Sequence, residues 1–196
     1  MDTLRDRLVQ WFKPYAALVA MFSVGATTTV SAQSKTKTVM VGGAPMYPTK
    51  NIVENAVNSK DHTTLVAAVK AAGLVETLQS AGPFTVFAPT NAAFGKLPAG
   101  TVETLVKPES KETLTKILTY HVVAGRMTAA DLMKAIKAGK GSATLKTVSG
   151  GTLTAMMKGK SIQLKDEKGG TSTVTIANVM QSNGVIHVVD TVVLPN

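Results

Sequence analysis

The histidines are the side chains of this sequence best suited to acid–base or metal chemistry, because it contains no cysteine. They stand at His62, His121 and His187, and no two of them have the short spacing of a zinc motif. His121 in LTYHVV and His187 in GVIHVVD lie in apolar, strand-like runs, which favours buried, hydrogen-bonded rings over ligands. His62 is interpreted as a loop or helix-cap residue. The sequence therefore predicts no metal ion and no cofactor.

A nucleophilic site also lacks its usual pattern. The sequence has no Gly-x-Ser-x-Gly elbow, no P-loop and no dinucleotide-binding fingerprint. The stretch FTVFAPTNAAF (84–94) runs from an apolar strand straight into a helical turn, and the one hydroxyl of that turn, Thr90, has no adjacent base. The alternative to an active-site turn is a structural corner, where Thr90 or Asn91 caps the turn that follows. We predict that the protein is not an enzyme.

The elements that must position these residues change in character along the chain. Helical spacing of apolar residues recurs in short segments from about 51 to 137, with stops such as Gly73 and a capping box at Thr128–Asp131. From Gly139 onward, short alternating runs are separated by glycine-rich turns, which is typical of an antiparallel sheet. FTVF is apolar apart from Thr85, so we expect an inner strand paired with a late one. The sequence predicts one α+β domain.

Composition and charge limit the classes of partner. With 44% apolar residues in 196, the chain can form a core without disulfides. Its 21 Lys+Arg exceed its 12 Asp+Glu, for a formal charge of +9, but the lysines are scattered and no aromatic residues alternate with them. This pattern indicates a solvated basic surface rather than a nucleic-acid interface.

The N-terminal segment has the order of features of a secretory signal peptide. Basic residues between positions 5 and 13 precede an apolar run over 15–24, and Val30-Ser31-Ala32 offers small side chains for cleavage after Ala32. An uncleaved N-terminal anchor is the alternative. We therefore expect a secreted or periplasmic protein with no stable membrane span after cleavage. The predicted parts are a signal peptide (1–32), a flexible tail (33–46) and a folded domain (47–196).

Three separated segments resemble those of fasciclin-type domains, in the same order. FTVFAPTNAAF (84–94) is similar to the first signature segment of that family, LTYHVVAGRM (118–127) to its tyrosine–histidine segment, and NGVIHVVDTVVLP (183–195) to its second signature segment. The text upstream of them looks like that of bacterial, exported single-domain members. The resemblance implies a fasciclin-like β-wedge or sandwich with a cluster of short helices packed against it. It also implies a role in adhesion rather than catalysis.

The resemblance also carries over candidate site residues. Tyr120 and His121 match a pair linked to adhesion in animal members; the alternative is a buried pair, with His121 bonded to the Pro89–Asn91 corner. Asn178 and Val179 occupy the places of an Asp-Ile pair, so the acidic group is missing, and with no Arg-Gly-Asp present we expect no integrin recognition of the animal kind. The residues expected to be structural are Phe84, Phe87, Pro89, Thr90, Asn91, Phe94, Gly184, His187 and Asp190.

These observations support two hypotheses of function. The first is a monomeric, non-catalytic adhesion or interaction domain that binds a cell-surface protein or polysaccharide, acidic polysaccharides included, and no nucleic acid. The alternative is a soluble carrier of a small apolar or anionic ligand. A carrier needs a cleft of several hundred cubic ångströms. The side chains that would line it are the methionines at 127, 133, 156, 157 and 180.

Overall fold

Short helices are the main regular structure in the first half of the described chain. The structure is a computed structural model that describes residues 38–196, so the predicted signal peptide and its cleavage site lie outside the described residues. The helices are α1 (Ile52–Ala56), α2 (Thr63–Ala72), α3 (Val75–Gln79), α4 (Asn91–Phe94), α5 (Thr101–Leu105), α6 (Lys111–Tyr120) and α7 (Ala129–Ala138). Helices of this length are not stable alone in water, so tertiary packing must hold them.

Local sequence signals set several of these helix ends, as predicted. Gly73 ends α2 in the left-handed conformation, with φ of 72°. Thr128 begins α7 with a complete capping box, in which its backbone N–H donates to the Asp131 carboxylate at 2.9 Å. Thr90 caps α4, its hydroxyl oxygen accepting from the Ala93 N–H at 3.2 Å.

The strands form a hairpin and a seven-stranded sheet. The hairpin pairs β1 (Val39–Val41) with β2 (Ala44–Met46), and the sheet has the order β4-β3-β9-β8-β7-β6-β5. Its strands are β3 (Phe84–Pro89), β4 (Val122–Ala124), β5 (Ser142–Lys146), β6 (Thr152–Lys158), β7 (Ser161–Lys165), β8 (Thr171–Gln181) and β9 (Gly184–Val189).

Strand β3 is an inner strand, as predicted, and its late partner is β9. The two run parallel, from Phe84 opposite Gly184 to Pro89 opposite Val189, whereas the other pairs in the sheet are antiparallel. A bridge between Val123 and Thr147 brings the ends of the sheet together, so the sheet nearly closes. The prediction of an α+β β-wedge with short helices packed against it is confirmed.

Strands β3 and β9 form the wall between two hydrophobic cores. Val86 and Ala88 face the first core, which contains helices α1 to α4 and α6, whereas Phe87 faces the second core, which contains α7 and the inner side of β5–β8. In β9, Val188 likewise belongs to the first core and Val189 to the second. Because side chains alternate along a strand, a wall between two cores must be apolar on both faces. This arrangement explains why Phe84, Val86 and Phe87 are apolar, and the fourth residue, Thr85, is buried with its hydroxyl donating to the Gly125 carbonyl at 2.6 Å.

Residues 39–46 differ from the flexible tail predicted for 33–46. They form the β1–β2 hairpin, whose Val41 and Met46 are buried in the first core. Its turn is Gly42-Gly43, with φ of 57° and 76°, and a Gly-Gly pair between apolar residues is a two-residue hairpin signal that the sequence interpretation overlooked.

Candidate functional site

The Tyr120–His121 pair lies where helix α6 meets strand β4. The sequence places it in a strand-like run, but α6 continues through Tyr120 and His121 is its C-cap residue. The two side chains enter different cores: Tyr120 belongs to the second core, and His121 lies in the wall of a cavity in the first. Their exposures are 0% and 3%, so a partner cannot touch either side chain in this conformation.

His121 joins α6 to the C-terminal segment. Its Nδ1–H donates to the Ile117 carbonyl at 2.8 Å, and its Nε2 accepts from the Val193 N–H at 3.2 Å. The predicted bond to the Pro89–Asn91 corner is therefore wrong, because both ring nitrogens are used elsewhere. Burial lowers the pKa of His121 from 6.5 to about 4, although the Ile117 carbonyl opposes this shift. The ring is a neutral structural link.

Tyr120 joins α6 to the β5–β8 region. Its hydroxyl donates to the Thr152 carbonyl at 2.6 Å and accepts from the Glu167 N–H at 3.2 Å. Burial raises the pKa of Tyr120 to about 12. The phenol therefore stays protonated and serves as a hydrogen-bonding bridge at neutral pH.

Asp166 and Glu167 are part of this junction, although they stand in the turn between β7 and β8. Asp166 is buried, and its carboxylate accepts from the Gly170 N–H at 2.6 Å and the Leu194 N–H at 3.0 Å. Glu167 accepts from the Thr152 N–H at 2.8 Å. Hydrogen bonds from the backbone lower the pKa of Glu167. Sequence reasoning missed both roles, because Leu194 is distant in the chain and leaves no local signal.

The corner after β3 is held by Asn91 rather than by an active-site group. The Asn91 side-chain oxygen accepts from the Thr64 N–H at 3.0 Å, and its amide nitrogen donates to the Lys60 carbonyl at 2.8 Å and the Thr63 hydroxyl at 2.9 Å. These bonds fasten the corner to the beginning of α2. Phe94, in the turn that follows, is buried in the first core.

Asn178 occupies a bulge in β8 that faces α7. Its φ is 59°, a left-handed conformation that asparagine tolerates better than most residues. Its side-chain oxygen accepts from the Ala129 N–H at 2.7 Å, which satisfies a free donor at the start of α7. Val179, beside it, is 1% exposed in the first core. The structure thus places Asn178 at the surface and Val179 inside.

His187 and Asp190, in the second signature segment, fasten neighbouring elements. The His187 ring stacks on Phe87 with centroids 5.7 Å apart, and its Nε2–H donates to the Met127 carbonyl at 2.9 Å. Burial lowers the pKa of His187. The Asp190 carboxylate accepts from the Thr173 N–H at 2.8 Å. Burial alone would raise the pKa of Asp190. The hydrogen bonds from Thr173 and Thr191 outweigh the effect of burial, so the pKa of Asp190 is lowered.

Gly184 allows β9 to approach β3. A Cβ atom at this position would lie 2.2 Å from the Phe84 carbonyl oxygen, so no larger residue fits without moving the backbone.

An apolar cavity of about 80 Å³ lies within the first core. Its wall includes Met46 and none of the five methionines predicted to line a ligand cleft. His62 is in the same wall and is buried, with its Nδ1 2.9 Å from the Ser59 hydroxyl and its Nε2 without a hydrogen-bond partner. Burial lowers the pKa of His62, although the nearby Ala88 carbonyl opposes this. The cavity is much smaller than the cleft that the carrier hypothesis requires.

Two further features are absent from residues 38–196. No helix in this range is long and apolar enough to cross a membrane. Within the same range, no three His, Asp or Glu side chains group as metal ligands would. The polar residues singled out from the sequence, among them Asn91, Tyr120 and His121, hydrogen-bond to neighbouring elements and hold helices, turns and the C-terminal segment in place.

Comparison with known proteins agrees with the fold and these motifs. A solved structure of a FAS1 domain pair from the insect cell adhesion molecule Fasciclin I matches with a TM-score of 0.66 and 19% identity, over 76% of this chain and 52% of that one. Protein sll1483 of Synechocystis sp. is 46% identical over 176 residues, which cover 89% of this chain and 91% of that protein.

More distant relatives extend this similarity. Immunogenic protein MPB70 of Mycobacterium bovis is 38% identical over 145 residues, covering 71% of this chain and 66% of the relative. Cell surface glycolipoprotein MPB83 of the same species is 34% identical over 170 residues, covering 84% of this chain and 68% of the relative. The family model described as Fasciclin domain matches residues 60–195. The chain belongs to the fasciclin domain family.

Proposed function

We propose that the chain is an exported, non-catalytic interaction domain that binds a protein or polysaccharide at the cell surface. The observation that carries the proposal is the family match over residues 60–195, in a family whose members include a cell adhesion molecule and a cell surface glycolipoprotein. Within the domain, the hydrogen-bonding groups of the Tyr120–His121 pair are used internally. A binding role for this pair would therefore be indirect, through the positions of the surfaces that it joins.

The alternative of a small-ligand carrier has less support. The cavity in the first core measures about 80 Å³, whereas ligand pockets are about 300–1,000 Å³. The predicted methionine lining is also absent from its wall. We therefore favour a macromolecular partner that contacts the outside of the domain.

Expression of the full chain tests the proposed export. We expect to find the protein in the envelope or the medium. Its mass should be that of a chain that starts at Gln33, because cleavage occurs after Ala32. A protein that keeps Met1 and remains in the cytoplasm would contradict the localisation. If the membrane fraction contains a protein with the mass of the uncleaved chain, the result would favour an uncleaved anchor.

Binding is tested by incubating the purified protein with a cell-envelope fraction in low and high salt. Saturable retention by a macromolecular component supports the proposed function. A protein that sediments with nothing, but carries a small molecule detected by mass spectrometry, would favour the carrier instead.

A further inference from the structure

The outer face of the β5–β8 sheet is polar, and its charged side chains are all positive. We define this face by the outward-pointing residues of the four strands, which alternate with buried residues such as Leu145, Leu153 and Leu164. Most of its side chains are threonine, serine and glutamine, and its charged residues are Lys146, Lys158 and Lys165. Strands β5–β8 contain no Asp or Glu.

Strand register places the three lysines far apart on this face. Lys165 lies opposite Thr154, which lies opposite Thr144, and Lys146 is two residues along β5 from Thr144. With strands about 4.8 Å apart and residues about 3.3 Å apart, the Cα atoms of Lys146 and Lys165 are about 12 Å apart. On the same geometry, Lys158 lies about 14 Å from Lys165. The cations are thus spread over the face rather than gathered at a point.

The charge of the domain is concentrated in the same half. Residues 126–196 contain nine Lys or Arg and four Asp or Glu, whereas residues 38–125 contain seven and six. The four carboxylates of the basic half all accept hydrogen bonds within the domain, as in the buried Asp166. Among the described residues, the salt bridge that forms is Lys96–Asp190, so the lysines of the face have no carboxylate partner there. The face is complementary to a negative polymer.

The remaining side chains of the face distinguish between classes of negative polymer. A membrane-binding surface needs apolar groups that insert into lipid, and a surface for single-stranded nucleic acid uses aromatic stacking. The face offers one half-buried methionine, Met156, and no aromatic residue or arginine. Its hydroxyl and amide groups both donate and accept hydrogen bonds, which suits sugar hydroxyls, and its lysine ammonium groups can donate charge-assisted hydrogen bonds to carboxylates.

We propose that the outer face of the β5–β8 sheet binds an anionic polysaccharide whose negative groups are the carboxylates of sugar acids. This inference rests on the proposed function, because it names the partner of the interaction domain.

The test compares two triple variants of the full chain for binding to polygalacturonate. The face variant is K146Q/K158Q/K165Q, and the matched control, K60Q/K70Q/K107Q, removes the same charge from exposed lysines of the helical half. We expect the face variant to bind about tenfold more weakly, since three exposed charge contacts together account for roughly this factor. The affinity of the control variant for polygalacturonate should stay within about twofold of that of the wild type. Dextran, which is uncharged, should bind neither the wild type nor either variant.

Each outcome decides a different point. Equal losses in both variants would mean that net charge alone drives binding, and would overturn the assigned face. Tighter binding to anionic phospholipid vesicles than to polygalacturonate would overturn the polysaccharide. Retention by the envelope fraction without binding to polygalacturonate would overturn this inference and leave the proposed function standing. If the protein binds neither the envelope fraction nor polygalacturonate, the result would contradict both this inference and the proposed function. Thermal melting of each variant shows that it is folded.

Discussion

The two cores of the domain are packed to different degrees, although the same pair of strands separates them. In the second core, Leu132, Leu153 and Leu164 are 0% exposed. In the first core, Leu65 and Val69 keep 8% exposure and line a cavity of about 80 Å³. A regular sheet covered by one helix brings side chains together in repeating rows. Several short helices meeting at varied angles fill space less completely.

The largest expected effect is the loss of stability on deleting a core leucine, and its size should differ between the two cores. Leu132→Ala in the second core should lower the free energy of unfolding by about 4 kcal/mol, because it opens a new cavity in a close-packed region. Leu65→Ala should cost about 2–3 kcal/mol, because this side chain already borders empty space and makes fewer contacts. Urea unfolding of both variants measures the difference. Equal losses would mean that the two cores are packed alike.

The second effect concerns His121, which joins α6 to the C-terminal segment, and it depends on pH. The pKa of His121 is about 4 in the folded state and near 6.5 when the chain is unfolded, so the unfolded chain binds the additional proton between these values. The contribution of His121 to the free energy of unfolding is fully present above about pH 6.5. It is lost as the pH falls towards 4, and the total loss is about 3 kcal/mol.

Unfolding experiments across this pH range check the prediction for His121. The variant His121→Gln removes the titrating group, so its stability should depend less on pH between 6.5 and 4, although it should be less stable at neutral pH. His62 and His187 remain in both proteins and supply a common background. An unchanged slope in the variant would assign the pH dependence to those two residues.

The third effect should have opposite signs in the two cores. Val189→Ile adds a methylene to a fully buried position of the second core and should destabilise the domain by about 1–3 kcal/mol. Val69→Ile adds the same group beside the cavity and should stabilise it by up to about 1 kcal/mol. Thermal melting distinguishes the two. Destabilisation by both would show that the space beside Val69 cannot accept a side-chain atom.

The smallest effect concerns the bond between α7 and the bulge in β8. Asn178→Gly keeps the left-handed backbone and loses the hydrogen bond to Ala129, so it should cost about 1 kcal/mol. Asn178→Ala loses the same bond and, unlike the glycine variant, keeps a Cβ atom at φ of 59°, so it should be about 1 kcal/mol less stable than Asn178→Gly. Asn178→Asp keeps the acceptor and should be close to neutral. If the glycine and alanine variants melt together, the bulge relaxes without strain.

Local signals made the elements of the fold predictable, and long-range contacts set the limit. Gly73 and the capping box at Thr128 mark helix ends through bonds within a few residues, so the sequence contains both partners. The partners of His121 and Asp166 include Val193 and Leu194, which only the folded chain brings near. The sequence left two alternatives for the Tyr120–His121 pair, a binding role or burial, and the structure shows burial. The apolar run around the pair also did not show that it ends a helix rather than lying in a strand.

The pairing of β3 with β9 has a consequence for how the chain acquires its structure. The paired residues, from Phe84 with Gly184 to Pro89 with Val189, are separated by a long stretch of intervening chain. Closing so long a loop costs entropy before the contact stabilises anything, so high contact order is expected to slow folding. During synthesis, the wall between the two cores stays incomplete until β9 has emerged. The shorter nascent chain therefore leaves β3 with an open edge, at which chaperones or neighbouring chains can bind.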